Sequence, residues 1–193
     1  ENGALRFDCE GREHTRRADA VVLALGGGSW PVLGSDASWV GALLEHGVDI
    51  APLAPANCGF DVQWSTHFAT RHAGHPVKPV VVEWCDPRGS AIRRQGEFMV
   101  TAYGIEGSLV YALSAQLRDV ITTQGTTTIH LDLAPGRDRD RLARDLSQTR
   151  GSRSLSEHLR RHAGVEGVKA GLLYEALAKP DLRDINRLVA AIK

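Results

Sequence analysis

Hydrophobic and polar positions fall into three textures along the chain. Leu5-Arg6-Phe7-Asp8-Cys9 alternates at period two, Glu10-Gly11-Arg12 supplies a turn, and His14 to Arg17 returns, which predicts an exposed hairpin. Ala20-Val21-Val22-Leu23-Ala24-Leu25 is continuously apolar and β-branched at its centre, the pattern of a strand covered on both faces in a parallel sheet. It runs into Gly26-Gly27-Gly28-Ser29, and Asp36 is placed to cap a helix over 37–46 that Gly47 would end.

Past residue 52 the texture changes. Pro52, Pro55, Asn57 and Gly59 interrupt the pattern and predict a boundary between a segment 1–52 and a domain 53–193. In that domain Phe60-Asp61-Val62, Pro79 to Cys85, Ala91 to Arg94 and Glu97 to Thr101 read as strands of an antiparallel meander, with Asp86-Pro87-Arg88-Gly89 as a turn. Ser108 opens a helical spacing through Leu109, Ala112, Leu113, Leu117 and Ile121, and Thr126 to Leu133 reads as another strand. Helices follow over about 138–148, 155–163, 167–178 and 182–192. The fold class expected is α+β, an antiparallel β-rich, barrel-like domain with a helical appendage.

The composition, 42% hydrophobic and 24% charged, is that of an ordinary globular chain. The run Ala20–Leu25 is far short of the ~20 apolar residues of a membrane span, so no membrane partner is expected. Overall charge is zero, which removes the simplest argument for nucleic acid. It divides into −5 over residues 1–133 and +5 over 134–193, read as two solvated surfaces of opposite sign or as one anion-attracting face. Cys9, Cys58 and Cys85 are widely spaced without a C-x-x-C pair, so a reduced, cytoplasmic setting is expected. Glu1-Asn2-Gly3 carries no signal-peptide features and reads as a cut inside a longer chain.

Candidate chemistry is local. Glycines directly after a parallel strand let backbone approach a cofactor, because no Cβ intervenes; the alternative is a flexible strand-to-helix turn. Gly26-x-Gly28 is not a complete dinucleotide fingerprint, since Pro31 stands at the third glycine position. His67, His72 and His75 sit between Thr66, Gly74 and Pro76, and are read as a polar surface loop with no metal expected. Thr101-Ala102-Tyr103-Gly104-Ile105-Glu106-Gly107-Ser108 joins a strand to a helix through two glycines. Its amides are placed to hold an anionic or electron-rich group, or the stretch is a plain connection with Tyr103 packed inside.

Two stretches in order carry a resemblance. Val21 to Pro31, with Gly34-Ser35, His46-Gly47 and Pro52-Leu53-Ala54-Pro55-Ala56, and then Gly96-Glu97-Phe98-Met99-Val100-Thr101-Ala102-Tyr103-Gly104-Ile105-Glu106-Gly107, resemble the BaiN-like NAD(P)/FAD-dependent oxidoreductases of the aminoacetone-oxidase family. The family pattern has His at Ala102 and Ser-Gly-Pro at Glu106-Gly107-Ser108. The resemblance implies a split FAD domain with a β-rich insert, residues 1–52 being part of its Rossmann-like segment. It implies that the N-terminal pyrophosphate-binding element and a C-terminal glycine-rich segment belong to the remainder of the parent protein. Ala24, Leu25, Gly26, Gly27, Gly28, Gly104 and Gly107 would then be cofactor-binding, and Tyr103 the candidate catalytic residue. FAD would be the cofactor, NAD(P)H a candidate reductant, and the partners a small-molecule substrate and the rest of the FAD domain. The rival reading is a non-catalytic β-rich protein-binding module whose Arg-rich helices after Pro135 dock an acidic protein.

Overall fold

A computed structural model describes residues 4–193; Glu1-Asn2-Gly3, read above as a cut end, lies outside them. Two compact units follow one another, dividing between Ala54 and Pro55. In the first, β1 (Ala4–Cys9) and β2 (Arg12–Arg17) form the expected hairpin, Ala4 opposite Arg17 and Cys9 opposite Arg12. Glu10 and Gly11 take φ of 54° and 75°, the twist that a two-residue hairpin turn requires. α1 (Trp39–Glu45) starts later than expected. Asp36 Oδ1 does accept from the Ser38 amide at 3.0 Å, but Ala37 stands at φ 59°, outside the helical region. Gly47, at φ 74°, follows its end.

The strand expected over Ala20–Leu25 does not form. The segment carries no regular structure, and Val22 is 88% exposed. A strand covered on both faces needs neighbours for its amides and carbonyls and a layer over each face. β1 and β2 pair only with each other, so this segment has neither. The Rossmann-like sheet expected in residues 1–52 is accordingly absent among the described residues.

The second unit is built on a five-stranded antiparallel sheet. β3 (Phe60–Asp61), β4 (Pro76–Cys85), β5 (Ala91–Val100), β6 (Gly104–Glu106) and β7 (His130–Asp132) lie in the order β3-β6-β5-β4-β7. The β4–β5 hairpin turns where expected, Asp86 Oδ1 accepting from the amides of Arg88 at 2.8 Å and Ser90 at 2.7 Å. β7 is shorter than the strand expected over 126–133 and pairs antiparallel with β4. Val77, Val80, Val82 and Trp84 of β4 and Phe98 and Val100 of β5 enter the core. The odd step from Val77 to Val80 is a register shift holding Lys78 and Pro79, a position where proline's missing N–H costs no ladder bond.

The helix expected from Ser108 is broken in two, α3 (Ser108–Tyr111) and α4 (Ser114–Gln124), with Leu113 at φ −112° between them. The helical part otherwise follows its caps. Asp138 accepts from the Arg141 amide ahead of α5 (Arg139–Leu146), Ser154 from the Glu157 amide ahead of α6 (Leu155–Ala163), and Asp184 from Asn186 and Arg187 ahead of α8 (Ile185–Ile192). α7 (Gly167–Ala176) carries Lys169, which is buried and donates from Nζ to Pro79 O at 2.5 Å and Leu133 O at 2.8 Å. Burial lowers the Lys169 pKa, and Asp132 partly opposes this. Among the described residues no helix is long and apolar enough to cross a membrane.

Candidate functional site

The glycine turn of the first unit is held by its carbonyls and open at its amides. Gly26 O accepts from Trp39 Nε1 at 3.1 Å, and Gly27 O accepts from the Ala37 amide at 3.1 Å. The N–H groups of Gly26, Gly27 and Gly28 donate to nothing among the described residues. The three glycines are not equivalent. Gly26 has φ 79° and open space where a Cβ would stand, Gly27 would bring a Cβ to 3.5 Å from Ser35 Oγ, and Gly28 would drive one to 2.9 Å from the Ala37 Cβ. Gly28 is therefore fixed by packing, whereas Gly26 presents backbone to open space and Gly27 meets only the Ser35 hydroxyl at ordinary contact distance. Ala24 and Leu25 precede them, exposed.

In the second unit the loop Thr101–Gly107 turns on one hydroxyl. Thr101 Oγ1 accepts from the amides of Gly104 at 2.9 Å and Tyr103 at 3.3 Å, while Thr101 N donates to Gly104 O at 2.8 Å. Trp64 Nε1 also donates to Gly104 O at 3.2 Å, and Val62 N donates to Tyr103 O at 2.9 Å. Gly104 is buried, and a Cβ on it would lie 1.9 Å from Phe60 O, so the approach of β3 to β6 demands glycine there. Its amide and carbonyl are both engaged within the fold. Gly107, at φ 105°, precedes α3, which is a single turn of four residues, too short for the anion-holding helix end expected there. Tyr103 is 80% exposed instead of packed inside, and its hydroxyl makes no hydrogen bond among the described residues.

His67 and His72 lie on a helix and not in a loop, and His75 follows its end. α2 (Thr66–His72) is capped by Ser65, whose Oγ accepts from the Phe68 amide, and it places Phe68 and His72 one turn apart and buried. Ring centroids step from Trp64 to Phe68 at 4.7 Å, to His72 at 4.9 Å and to His75 at 6.0 Å. Gly74 and Pro76 had suggested a loop over the whole stretch. They govern only its end, and the Ser65 cap with the Phe68/His72 spacing was the signal for the helix. Beside α2, with α6 and α7 on the other side, lies a cleft of about 610 Å³ that the sequence reading did not foresee.

An antiparallel five-stranded sheet bearing a capped helical appendage defines the class of this second unit. A family model described as HI0933-like protein barrel and H2TH domain matches residues 54–193, and the chain belongs to that family, a domain of HI0933-like flavoproteins. No curated protein matches the chain.

Proposed function

We propose that the chain is part of an FAD-dependent oxidoreductase, in which the domain from about residue 53 lies over the flavin and shapes the pocket for a small-molecule substrate. The observation that carries this reading is the match of residues 54–193 to a flavoprotein domain. The Ala20–Leu25 run adds support, because an apolar stretch this exposed is suited to being covered by further strands and helices of an FAD domain.

The residues present suit the cofactor at one place. Gly26 combines a free amide with open space before its backbone, and Gly27 a free amide with only the Ser35 hydroxyl nearby, which is what close approach of a cofactor requires. In this reading Ala24, Leu25 and Gly26–Gly28 hold FAD, with Gly28 keeping the turn in shape. FAD, when bound, supplies the electron chemistry, and NAD(P)H is the proposed source of reducing equivalents. Tyr103, with a free and exposed hydroxyl, is placed to orient substrate or hold a proton. Gly104 and Gly107 set the path of the loop that presents it.

Gly27→Val in the parent protein tests the reading most cleanly. Gly27 has neither the positive φ of Gly26 nor the tight packing of Gly28, so the fold tolerates a side chain there better than at its neighbours. The expected result is loss of most of the bound flavin absorbance with the circular dichroism spectrum unchanged. Full flavin content in a folded Gly27→Val protein would overturn the assignment of this turn.

A further inference from the structure

The cleft beside α2 falls within the roughly 300–1,000 Å³ of small-molecule sites. Its floor is apolar, formed by Phe68, Val168 and Ala170. The absence of a side chain at Gly171 seats the His72 ring, since a Cβ there would stand 2.5 Å from His72 Nε2.

The polar lining is unbalanced in favour of donors. Two of its three carboxylates are occupied. Glu157 is held by Arg160 through bonds of 3.0 and 2.7 Å, and Glu175 receives the Ser65 amide at 2.9 Å and its hydroxyl at 2.7 Å. Glu166 stands at the N-cap of α7, and its carbonyl accepts from the amides of Lys169 and Ala170, but its carboxylate makes no capping bond to that helix. The amides of Gly167 and Val168 consequently have no acceptor among the described residues, although the start of a ten-residue helix favours negative charge. Arg71, on the last turn of α2, forms no ion pair among the described residues. His72 is only 8% exposed, and its ring makes no hydrogen bond among them, which leaves its ring nitrogens available to a ligand.

We propose that this cleft binds a small organic anion bearing a carboxylate or phosphate group, held by Arg71, His72 and the free amides of Gly167 and Val168. Such a group supplies several acceptor lone pairs at once, and a guanidinium matches its planar or tetrahedral oxygens. The apolar floor accommodates a short carbon skeleton, and Glu166 at the rim leaves room for a ligand that also carries a donor. The inference is independent of the flavin reading, because every residue it uses lies in or caps α2, α6 and α7.

The test is a titration of the isotope-labelled 193-residue chain with inorganic phosphate and, separately, with citrate, followed by amide NMR. Sodium chloride at matched ionic strength is the control. The expected result is a saturable movement of the Gly167 and Val168 resonances with at least one oxyanion and none with chloride; the anion that saturates the site identifies its chemistry. Arg71→Gln, at an exposed position with no ion pair to lose, should weaken that binding at least tenfold while leaving the melting temperature in place. His72→Phe keeps a ring against Phe68 and should also weaken it. Failure of both oxyanions to saturate, or undiminished binding in a folded Arg71→Gln protein, would overturn the proposal.

Discussion

Val22 and Val82 sit in similar runs, Val21-Val22-Leu23 and Val80-Val81-Val82, yet Val22 is 88% exposed and Val82 is 1% exposed. Both runs are apolar and β-branched. What differs is the company each finds. β4 has β5 on one side, β7 on the other and helices over its face, whereas residues 20–25 have no strand beside them among the described residues. Every buried hydrophobic side chain of the described chain lies from Phe68 onward, and none lies between residues 4 and 54. An apolar run therefore states what a segment is able to bury, and the partners it meets decide whether it does so.

The sharpest way to break this contrast is at its glycines. Gly104→Ala places a Cβ against the Phe60 carbonyl, with backbone on both sides and no flexible side chain to yield. It should destabilise the second unit by about 4 kcal/mol or more, in the range reserved for overpacking and strain. Gly26→Ala has open space and only an unfavourable φ to overcome, so it should cost about 1–2 kcal/mol locally and leave the second unit's melting temperature unchanged. Urea denaturation of the two variants measures the difference. Equal effects would mean that the two regions are not energetically distinct.

The valines supply a smaller and more direct comparison. Val82→Ala should cost about 2 kcal/mol through lost burial and an unfilled cavity. Val22→Ala should stay within about 0.5 kcal/mol, as for a surface site. If Val22→Ala proved as costly as Val82→Ala, residues 20–25 would be covered in solution.

The smallest expected effect is confined to the second unit and depends on pH. Burial, and then the neighbouring Arg71, hold the His72 pKa below its ordinary value of 6.5. The unfolded chain then binds the proton first. The contribution is therefore fully present above pH about 6.5 and is lost as pH falls through the depressed folded value. Denaturation midpoints in chloride buffer should decline over that interval, and the decline should be shallower in His72→Phe. An identical decline in both proteins would remove His72 as its source.

Much of the second unit was legible because its signals are local. Ser154-x-x-Glu157, Asp138 and Asp184 mark helix starts, and Asp86-Pro87-Arg88-Gly89 marks a hairpin, each by chemistry completed within four residues. Elements that depend on distant partners were misread. Residues 20–25 carry a strand pattern without a sheet, β7 shrinks to the three residues that pair with β4, and Leu113 interrupts a helix whose apolar spacing runs straight through it. For the candidate site, the glycines were found but their roles were not separable. Gly104 owes its identity to Phe60, some forty residues earlier, and spacing alone does not show such a contact. The cleft went unseen because α2 and α7 are about a hundred residues apart in sequence.

One tie within the second unit bears on how it comes apart. Leu133 closes the sheet's last strand, yet its amide donates to Ile192 O at 2.8 Å and its carbonyl receives Lys169 Nζ, while the buried Asp132 beside it pairs with Lys193 at 2.6 Å. Each of these bonds joins the end of β7, or the residue after it, to α7, α8 or the α8 C-cap, 36 to 61 residues later. Sheet and helices thus share a single cooperative opening, although they read as two modules. Neither α7 nor α8 can fray inward without stranding a buried charge or carbonyl, so amide protons in β4 and in α7 should report the same opening free energy.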